Sequence, residues 1–296
     1  MLEIIKEFLL YCEVERRLAA NTVQSYRSDL RHYQDFLAYS KTLANNQACA
    51  KEYLRHLLII QGLSTTTARR RMACLRAFYA FAADRHKWVN PFSNWSPELK
   101  RPKRLPRALS REDVQTLVKS NKNIPIDDVT RFAIVLISAT GVRVSELCAI
   151  LLRDVVADGS AIRIFGKGSK ERVVYIGSDA LKLELKVWRD ERLKQSNDNE
   201  HLLLNSRGAP LQPQTLRRRI HRLREASGLE RVVTPHMLRH TAATLLIESG
   251  IDIRFVQRLL GHSSIATTEI YTHVTDTSLQ RAIIQANALA GISWKH

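Results

Sequence analysis

Side chains that can bind a phosphate and transfer a proton occur in four short segments of the chain's second half. The segments are ATGVRVSEL (residues 139–147), FGKGSKERVV (165–174), TPHMLRHTAATLL (234–246) and LLGHSSIATTEIYTHV (259–274). Together they supply two arginines, a lysine, two histidines and a tyrosine, namely Arg143, Lys167, His236, Arg239, His262 and Tyr271. Each segment alone is weak evidence, but chance explains the combination poorly, in this order and at these spacings.

The two arginines suit a reaction at a phosphodiester. Attack on phosphorus creates a pentacoordinate state with extra negative charge on its non-bridging oxygens, and fixed cations lower that barrier. The planar fork of Arg143 or Arg239 can bind two oxygens and stays charged. Tyr271 can serve as the nucleophile, but a phenol with a pKa of about 10 needs positioning and a proton acceptor.

The local context of these residues favours an anion site. Thr234 and Pro235 begin a predicted helix, which places His236 in its first turn, where the helix dipole attracts negative charge. Arg239 lies three residues further and therefore on the same helix face. His236 and His240 are four apart, but without an H-E-x-x-H glutamate or an obvious third ligand we expect no zinc. We expect no nucleotide either, since no G-x-x-x-x-G-K-[ST] loop is present.

The elements around these segments are mainly helical. Apolar residues at three- and four-residue steps predict four helices in the first hundred residues. The first covers 2–12, and the second begins at a cap by Asn21 or Thr22 and runs to Leu37. The third covers 47–61 and ends at Gly62, and the fourth begins at a cap by Ser64 and ends at the pair Asn90-Pro91. In the second part we predict an apolar helix that begins with the S-x-x-D pattern of Ser110 to Asp113. We predict further helices near 127–140, 179–194, 214–227, 235–249, 253–260 and 264–274, a short one after 141, and two strands at 161–165 and 172–176.

The segment KRPKRLPR (residues 100–107) is the best candidate for a domain boundary. It has five basic residues, two prolines and no acid, so it can neither continue a helix nor collapse on itself. We therefore predict a helical domain at 1–99, a basic linker at 100–109 and a second domain, which carries the four segments, at 110–296.

Charge points to a polyanionic partner. The 296 residues carry 46 Lys+Arg against 29 Asp+Glu, a formal net charge of +17, which favours nucleic acid ahead of an anionic membrane surface. We predict phosphate contacts by basic side chains of the fourth helix and the linker, namely Arg69, Arg70, Arg71, Arg76, Arg101 and Lys103. A solvated basic face is the alternative for the helix arginines.

No apolar run approaches the roughly 18 residues of a membrane span, so we expect a soluble cytoplasmic protein associated with the nucleoid. The four cysteines form no C-x-x-C pair and are expected to be buried.

Taken together, the four segments resemble the tyrosine recombinases, also called the phage integrase family, and most closely its short-armed Xer-like members. The resemblance covers nearly the whole chain. It implies a mainly α fold with a small antiparallel β-sheet, in which a helical core-binding domain precedes a tyrosine recombinase catalytic domain. It also implies a site-specific enzyme that cleaves and rejoins DNA through a 3′-phosphotyrosyl intermediate, exchanges strands through a Holliday junction and needs no cofactor.

The resemblance further implies a role for each site residue. Arg143 and Arg239 would bind the scissile phosphate, and His262 would donate a hydrogen bond to one of its oxygens. His236 would assist proton transfer with the Tyr271 nucleophile.

Two assignments leave alternatives open. Lys167, at the predicted hairpin tip, would be the general acid that protonates the departing 5′ oxygen, with Lys170 as the alternative; the spacing from Arg143 favours Lys167. Glu146 would support the active-site arginine and histidine, or would be an ordinary glutamate on a helix surface.

The partner that the resemblance implies is double-stranded DNA with paired inverted sites. On it the chain would form a homotetramer, or a heterotetramer with a paralogue, by passing its C-terminal tail to a neighbouring subunit. The tail's apolar residues could form one short helix that ends at Gly291; they are Leu279, Ile283, Ile284 and Leu289. The alternative to exchange, which the resemblance favours, is that the apolar side of this tail packs on its own domain. A nicking and closing enzyme like type IB topoisomerases, and a DNA-binding regulator without chemistry, are the competing hypotheses.

Overall fold

The computed structural model describes residues 1–40, 46–99, 108–119, 126–166, 171–195, 199–260 and 276–292. By contacts between Cα atoms the chain divides into two compact units, Met1–Leu105 and Pro106–His296. Most of the predicted basic linker, including Arg101 and Lys103, lies outside the described residues. None of the helices among the described residues is long and apolar enough to cross a membrane.

The described residues of the first unit form four helices and one π-helical turn. They are α1 (Leu2–Val14), α2 (Ala20–Ser40), α3 (Gln47–Arg55), the π-helical turn His56–Ile60, and α4 (Thr65–His86). Its core is rich in aromatic rings: Phe8 meets Phe78 edge to face at 5.6 Å between centroids, and Tyr33 meets Tyr53 at 4.8 Å. The tyrosine hydroxyls stay paired inside this core, as in the contact of 3.1 Å between Tyr33 and Tyr79.

Local caps explain where the helices of this unit begin and end. The side chain of Ser64 accepts a hydrogen bond from the first turn of α4, as predicted, and that of Asn46 accepts one from the first turn of α3, which was not predicted. The predicted cap of α2 is wrong, because α2 begins at Ala20 and places Asn21 and Thr22 inside its first turn.

The end of α4 also differs from the prediction, which placed it at Asn90-Pro91. Lys87 adopts the left-handed conformation (φ 57°), and the N–H of Trp88 bonds the carbonyl of Ala82 at 3.2 Å. This closure satisfies a terminal carbonyl of the helix, so α4 stops before the proline has any influence.

The second unit contains eight helices, one 3₁₀ turn and two strands among its described residues. In chain order they are α5 (Arg111–Val118), α6 (Asp128–Thr140), α7 (Val144–Cys148), the 3₁₀ turn Leu152–Asp154, β1 (Ala161–Phe165), β2 (Glu171–Tyr175), α8 (Asp179–Lys194), α9 (Pro213–Ala226), α10 (Pro235–Glu248), α11 (Ile253–Leu260) and α12 (Asp276–Ala286). The strands form an antiparallel hairpin in which Ile164 pairs with Arg172 and Phe165 with Glu171. The predicted fold class, mainly α with a small antiparallel sheet, is confirmed. The predicted helix at 264–274 lies outside the described residues.

Helix α6 lies at the centre of this unit. Nine of its thirteen residues are buried, and it packs against α5, α7, α9 and α10. Phe132 on α6 stacks on Trp188 of α8, with 4.5 Å between ring centroids. The Asp127 side chain caps the first turn, and Gly141 ends the helix, so both ends match the prediction. The capping box predicted at Ser110 and Asp113 is also present.

The C-terminal tail packs on its own unit. Leu279, Ile283 and Leu289 are buried against the core of the second unit, whereas Ile284 is 42% exposed. The carbonyl of Ile283 lies so close to Gly177 that a Cβ there would come within 2.4 Å of it. Of the two arrangements that the sequence left open, the single chain therefore adopts packing on its own domain.

Candidate active site

Arg239 is buried between the ends of two other helices. It lies on α10, which begins with the Thr234 cap and Pro235 as predicted, and it is 5% exposed. Its Nη1 donates to the carbonyl of Gly141 at 2.7 Å, and its Nη2 donates to the carbonyl of Leu260 at 2.6 Å. The guanidinium thus joins α10 to the C-terminal ends of α6 and α11 and satisfies two terminal carbonyls.

Gly141 is needed for this arrangement. Its φ of +65° lies in the left-handed region, which side chains with a Cβ rarely adopt. A Cβ here would also come within 2.4 Å of Leu260 Cδ2 and 3.8 Å of Arg239 Cγ. A glycine therefore lets α6 end directly against α10 and α11.

Arg143 and Glu146 form the start of α7 two residues later. Glu146 Oε2 accepts the backbone N–H of Arg143 at 2.9 Å, and Oε1 accepts Arg143 Nη1 at 2.7 Å. The carboxylate is 6% exposed, whereas the Arg143 side chain is 43% exposed. The structure thus supports the interpretation of Glu146 as a partner of the arginine and contradicts an ordinary surface glutamate.

Arg172 is a member of this cluster that the sequence did not single out. It lies on β2, is 13% exposed, and donates from Nη1 and Nη2 to the two oxygens of Glu146 at 3.2 and 2.7 Å. Its Nε donates to the carbonyl of Leu259 at 2.8 Å. An arginine at the start of the predicted strand 172–176 was the available signal, but its partners are 26 and 87 residues away.

The electrostatics of the cluster are strongly perturbed. Burial raises the pKa of Glu146, but hydrogen bonds from Arg172 and from the N–H and guanidinium of Arg143 outweigh it and lower the pKa to about 2. Burial, together with the charges of Arg143 and Arg172, lowers the pKa of Arg239 to about 10. Glu146 is therefore ionised at neutral pH and is the one carboxylate among three guanidinium groups in the described part of this cluster.

His236 occupies the exposed first turn of α10, three residues before Arg239. There the helix dipole favours an anion, as the sequence suggested. Lys167, His262 and Tyr271, and also Lys170, lie outside the described residues. What is described are the elements beside them in sequence: the ends of β1 and β2 around the hairpin turn, and the end of α11 at Leu260.

The α4 arginines predicted to contact DNA have different surroundings. Arg70 and Arg71 both pair with Asp29, a carboxylate that is only 4% exposed. Arg76 is exposed and donates to Ser96 Oγ at 3.2 Å, and Arg69 is half-buried. Two of the four thus compensate a buried charge inside the first unit, which the sequence did not reveal because Asp29 lies on α2.

A second basic surface lies on α9. Its apolar side, Leu216, Ile220 and Leu223, is buried, and the opposite side exposes Arg217, Arg218 and Arg222. Within the described ranges these three arginines form no ion pair. The neighbours differ, since Arg219 pairs with Asp127 at 2.9 Å and Arg224 donates to the carbonyls of Glu230 and Arg231. The consecutive arginines at 217–219 in the sequence indicate such a surface, but we did not predict it.

Comparison with known proteins fits this geometry. The phage integrase family pattern matches residues 107–278, and the pattern of its N-terminal SAM-like domain matches residues 5–86. Tyrosine recombinase XerC of Halalkalibacterium halodurans is 37% identical over 288 residues, 93% of this chain and 94% of the relative. Tyrosine recombinase XerD of Staphylococcus aureus is 34% identical over 285 residues, 94% of this chain and 96% of the relative.

Solved structures agree in fold. XerH site-specific recombinase bound to its difH substrate, in a pre-cleavage complex, is 25% identical with a TM-score of 0.64 and covers 94% of this chain and 93% of that one. A lambda integrase dimer bound to a core site is 22% identical with a TM-score of 0.68, covers 89% and 95% respectively, and supports the fold alone. The chain belongs to the phage integrase family. Its class is that of the site-specific tyrosine recombinases, enzymes that cleave and rejoin DNA.

Proposed function

We propose that this chain cleaves double-stranded DNA at a specific site with Tyr271 and exchanges strands between two such sites. The observation that carries the proposal is the cluster of Arg143, Arg172 and Arg239 around the carboxylate of Glu146. This cluster has more positive charge than its own carboxylate compensates, which suits a transition state that gains negative charge. The relatives' family supplies the reaction class.

The mechanism assigns the excess charge to the scissile phosphate. The exposed guanidinium of Arg143 and that of Arg239 would contact the non-bridging oxygens, and His262 would donate to one of them. Arg239 donates to two backbone carbonyls, which leaves further N–H groups of its five for a phosphate.

Proton transfer and bond exchange follow from the remaining residues. His236, at the dipole-favoured turn of α10, would assist proton transfer as the Tyr271 phenol attacks phosphorus. The bond between phosphorus and the 5′ oxygen breaks, Lys167 or Lys170 protonates that oxygen, and a 3′-phosphotyrosyl bond remains. The 5′ hydroxyl of a second strand then displaces Tyr271, so the energy of the original bond is kept and neither a metal nor ATP is required.

The proposal includes DNA contacts from both units. In the second unit, Arg217, Arg218 and Arg222 on α9 suit phosphates, because they form no ion pair within the described ranges. In the first unit the proposed contacts are Arg69 and Arg76 on α4, and in the linker they are Arg101 and Lys103. Arg70 and Arg71 have a smaller share, because Asp29 already neutralises part of their charge.

The assembly that we propose is a tetramer on two paired inverted sites, built from this chain alone or with a paralogue. One solved relative by fold is a lambda integrase tetramer bound to a Holliday junction. In the assembly the tail would leave its own unit for the equivalent surface of a neighbour, where the same buried contacts of Leu279, Ile283 and Leu289 can form.

The test is a nicked suicide substrate whose site is first selected from random duplexes by binding to the chain. Incubation in EDTA without ATP, then denaturation in SDS, should yield a covalent protein–DNA band. Tyr271→Phe removes only the nucleophilic oxygen, so it should abolish the band while DNA affinity stays within about twofold. Covalent attachment by Tyr271→Phe would contradict the assignment.

A second assay separates recombination from nicking and closing. Two labelled sites in one reaction should give recombinant joints. Relaxation of supercoiled DNA without any joint would instead favour the topoisomerase-like alternative.

A further inference from the structure

Each guanidinium nitrogen of Arg172 donates a hydrogen bond to another group of the protein. Its three guanidinium nitrogens donate to the two oxygens of Glu146 and to the carbonyl of Leu259. A fork bonded to a carboxylate fixes orientation as well as distance, and the third bond fixes the remaining rotation. Among the described residues, all three guanidinium nitrogens of Arg172 have protein acceptors, whereas Arg239 donates from Nη1 and Nη2 only, so Arg172 is the less suited of the two to contact a phosphate itself.

Each partner of Arg172 either bonds an arginine of the proposed phosphate site or adjoins a residue that does. Glu146 also accepts Arg143 Nη1 at 2.7 Å. Leu259 directly precedes Leu260, whose carbonyl accepts Arg239 Nη2 at 2.6 Å. Arg172 therefore connects β2 to the start of α7 and the end of α11, the two places where Arg143 and Arg239 are held.

Stability alone explains this arrangement poorly. Both members of the Arg172–Glu146 pair are largely removed from water, and the loss of hydration in such a pair costs about as much as the attraction returns. The cluster also places like charges near one another, which is unfavourable until an anion binds. Beyond the ionisation of Glu146, the gain lies in orientation, because a charge-stabilising donor is effective only when it is fixed before the reaction.

We propose that Arg172 is a positioning residue for DNA cleavage, which sets Arg143 through Glu146 and sets the α11 end beside Arg239 through Leu259. It acts on the charge of the scissile phosphate indirectly and contacts no DNA. This inference rests on the function proposed above, since it assumes that Arg143 and Arg239 serve the phosphate.

The experiment compares cleavage of two suicide substrates, one with a normal scissile phosphodiester and one with a neutral methylphosphonate at that position. The neutral linkage gains less negative charge and needs the arginines less. We expect Arg172→Gln to slow single-turnover cleavage of the phosphodiester about 100-fold and that of the methylphosphonate less than about tenfold. DNA affinity should stay within about twofold.

Arg172→Lys and Arg192→Gln are the matched controls. Lysine keeps the charge but can serve only one of the two partners at a time, so its loss should be intermediate. Arg192 is another buried arginine of this unit that donates to backbone carbonyls, those of Asn199 and His201, away from the cluster. Arg192→Gln should leave the ratio of the two rates unchanged. Because both rates come from one preparation, partial misfolding cancels in their ratio.

A double variant distinguishes positioning from direct contact. If Arg172 acts in part through Glu146, the rate loss of Arg172→Gln combined with Glu146→Gln should be smaller than the product of the two single losses by at least about tenfold. The proposal would be overturned if the rate losses of the two single variants multiplied in the double variant. It would also be overturned if Arg172→Gln slowed cleavage of both substrates equally. If wild type forms no covalent band, or Tyr271→Phe does, the proposed function fails instead, so the two failures are distinguishable.

Discussion

At the scale of single residues, the central feature of the site is one carboxylate that serves two arginines. Glu146 receives the backbone and side chain of Arg143 from its own turn and the fork of Arg172 from a strand 26 residues later. A buried carboxylate that accepts this many hydrogen bonds stays ionised at pH values well below those at which carboxylates usually become protonated. This makes Glu146 a source of stability whose size depends on pH.

Glu146→Gln should reveal that dependence in urea unfolding. The folded-state pKa of about 2 lies below the ordinary value of 4.5, so the extra stability is complete above that value. It should disappear as the pH falls from 4.5 through 2. The difference in unfolding free energy between wild type and Glu146→Gln should therefore shrink over this range by about 3 kcal/mol.

Glu200→Gln is the matched control for that measurement. It removes an exposed carboxylate, 63% exposed and paired with Arg153. Such a pair contributes at most about 1 kcal/mol. A pH-independent difference for Glu146→Gln, or an equal response of Glu200→Gln, would contradict the described geometry.

At the scale of elements, the C-terminal ends of α6 and α11 meet α10 at Gly141. The C-terminus of α6 turns in the left-handed conformation, and Arg239 of α10 ties it to the last residue of α11. A side chain at this position affects the turn and the packing of Leu260 together.

We predict that Gly141→Ala destabilises the chain more than Gly228→Ala does. Both glycines have nearly the same φ, +65° and +67°, so each alanine costs about 1–2 kcal/mol in backbone strain. Only at Gly141 would the new Cβ also displace a buried neighbour, since nothing lies within 4 Å of a Cβ at Gly228. Equal losses in urea unfolding would show that the close contact has no cost, and cleavage should be slowed only by Gly141→Ala.

Local patterns explain which elements could be predicted. The bounds of α8 and α11 match the prediction because apolar periodicity and caps act over a few residues. Arg172 could not be assigned, because Glu146 and Leu259 reach it only through tertiary structure. Asp29 changes the meaning of Arg70 and Arg71 in the same way, across two helices.

At the scale of the whole molecule, the basic side chains behind the net charge of +17 differ in how far acidic neighbours neutralise them. Part of it is neutralised internally, as at Arg70, Arg71 and Arg219. The exposed arginines of α9 lack such partners among the residues described. The distribution predicts that specific surfaces, rather than net charge alone, determine how DNA binding responds to salt.

The double variant Arg218→Gln/Arg222→Gln tests this distribution. Each phosphate contact contributes about 0.9 to the slope of log affinity against log salt concentration, so the slope should decrease by about 2. Arg153→Gln, which removes an exposed arginine already paired with Glu200, should leave the slope unchanged. The measurement is DNA affinity titrated over a salt series, and an unchanged slope in the double variant would remove α9 from the proposed DNA surface.

The tail is held by contacts of a different kind. Arg111 donates to the carbonyls of Ala288 and Ala290, both at 2.8 Å, and Gly177 admits the backbone of Ile283, so neutral main-chain groups and apolar burial provide the attachment. Such contacts lack the counterion release that weakens DNA binding as salt rises, and excluded salts such as sulfate strengthen them. DNA binding and tail docking therefore respond to ionic strength in opposite directions, and a protein that salt has removed from its DNA keeps its own tail in place.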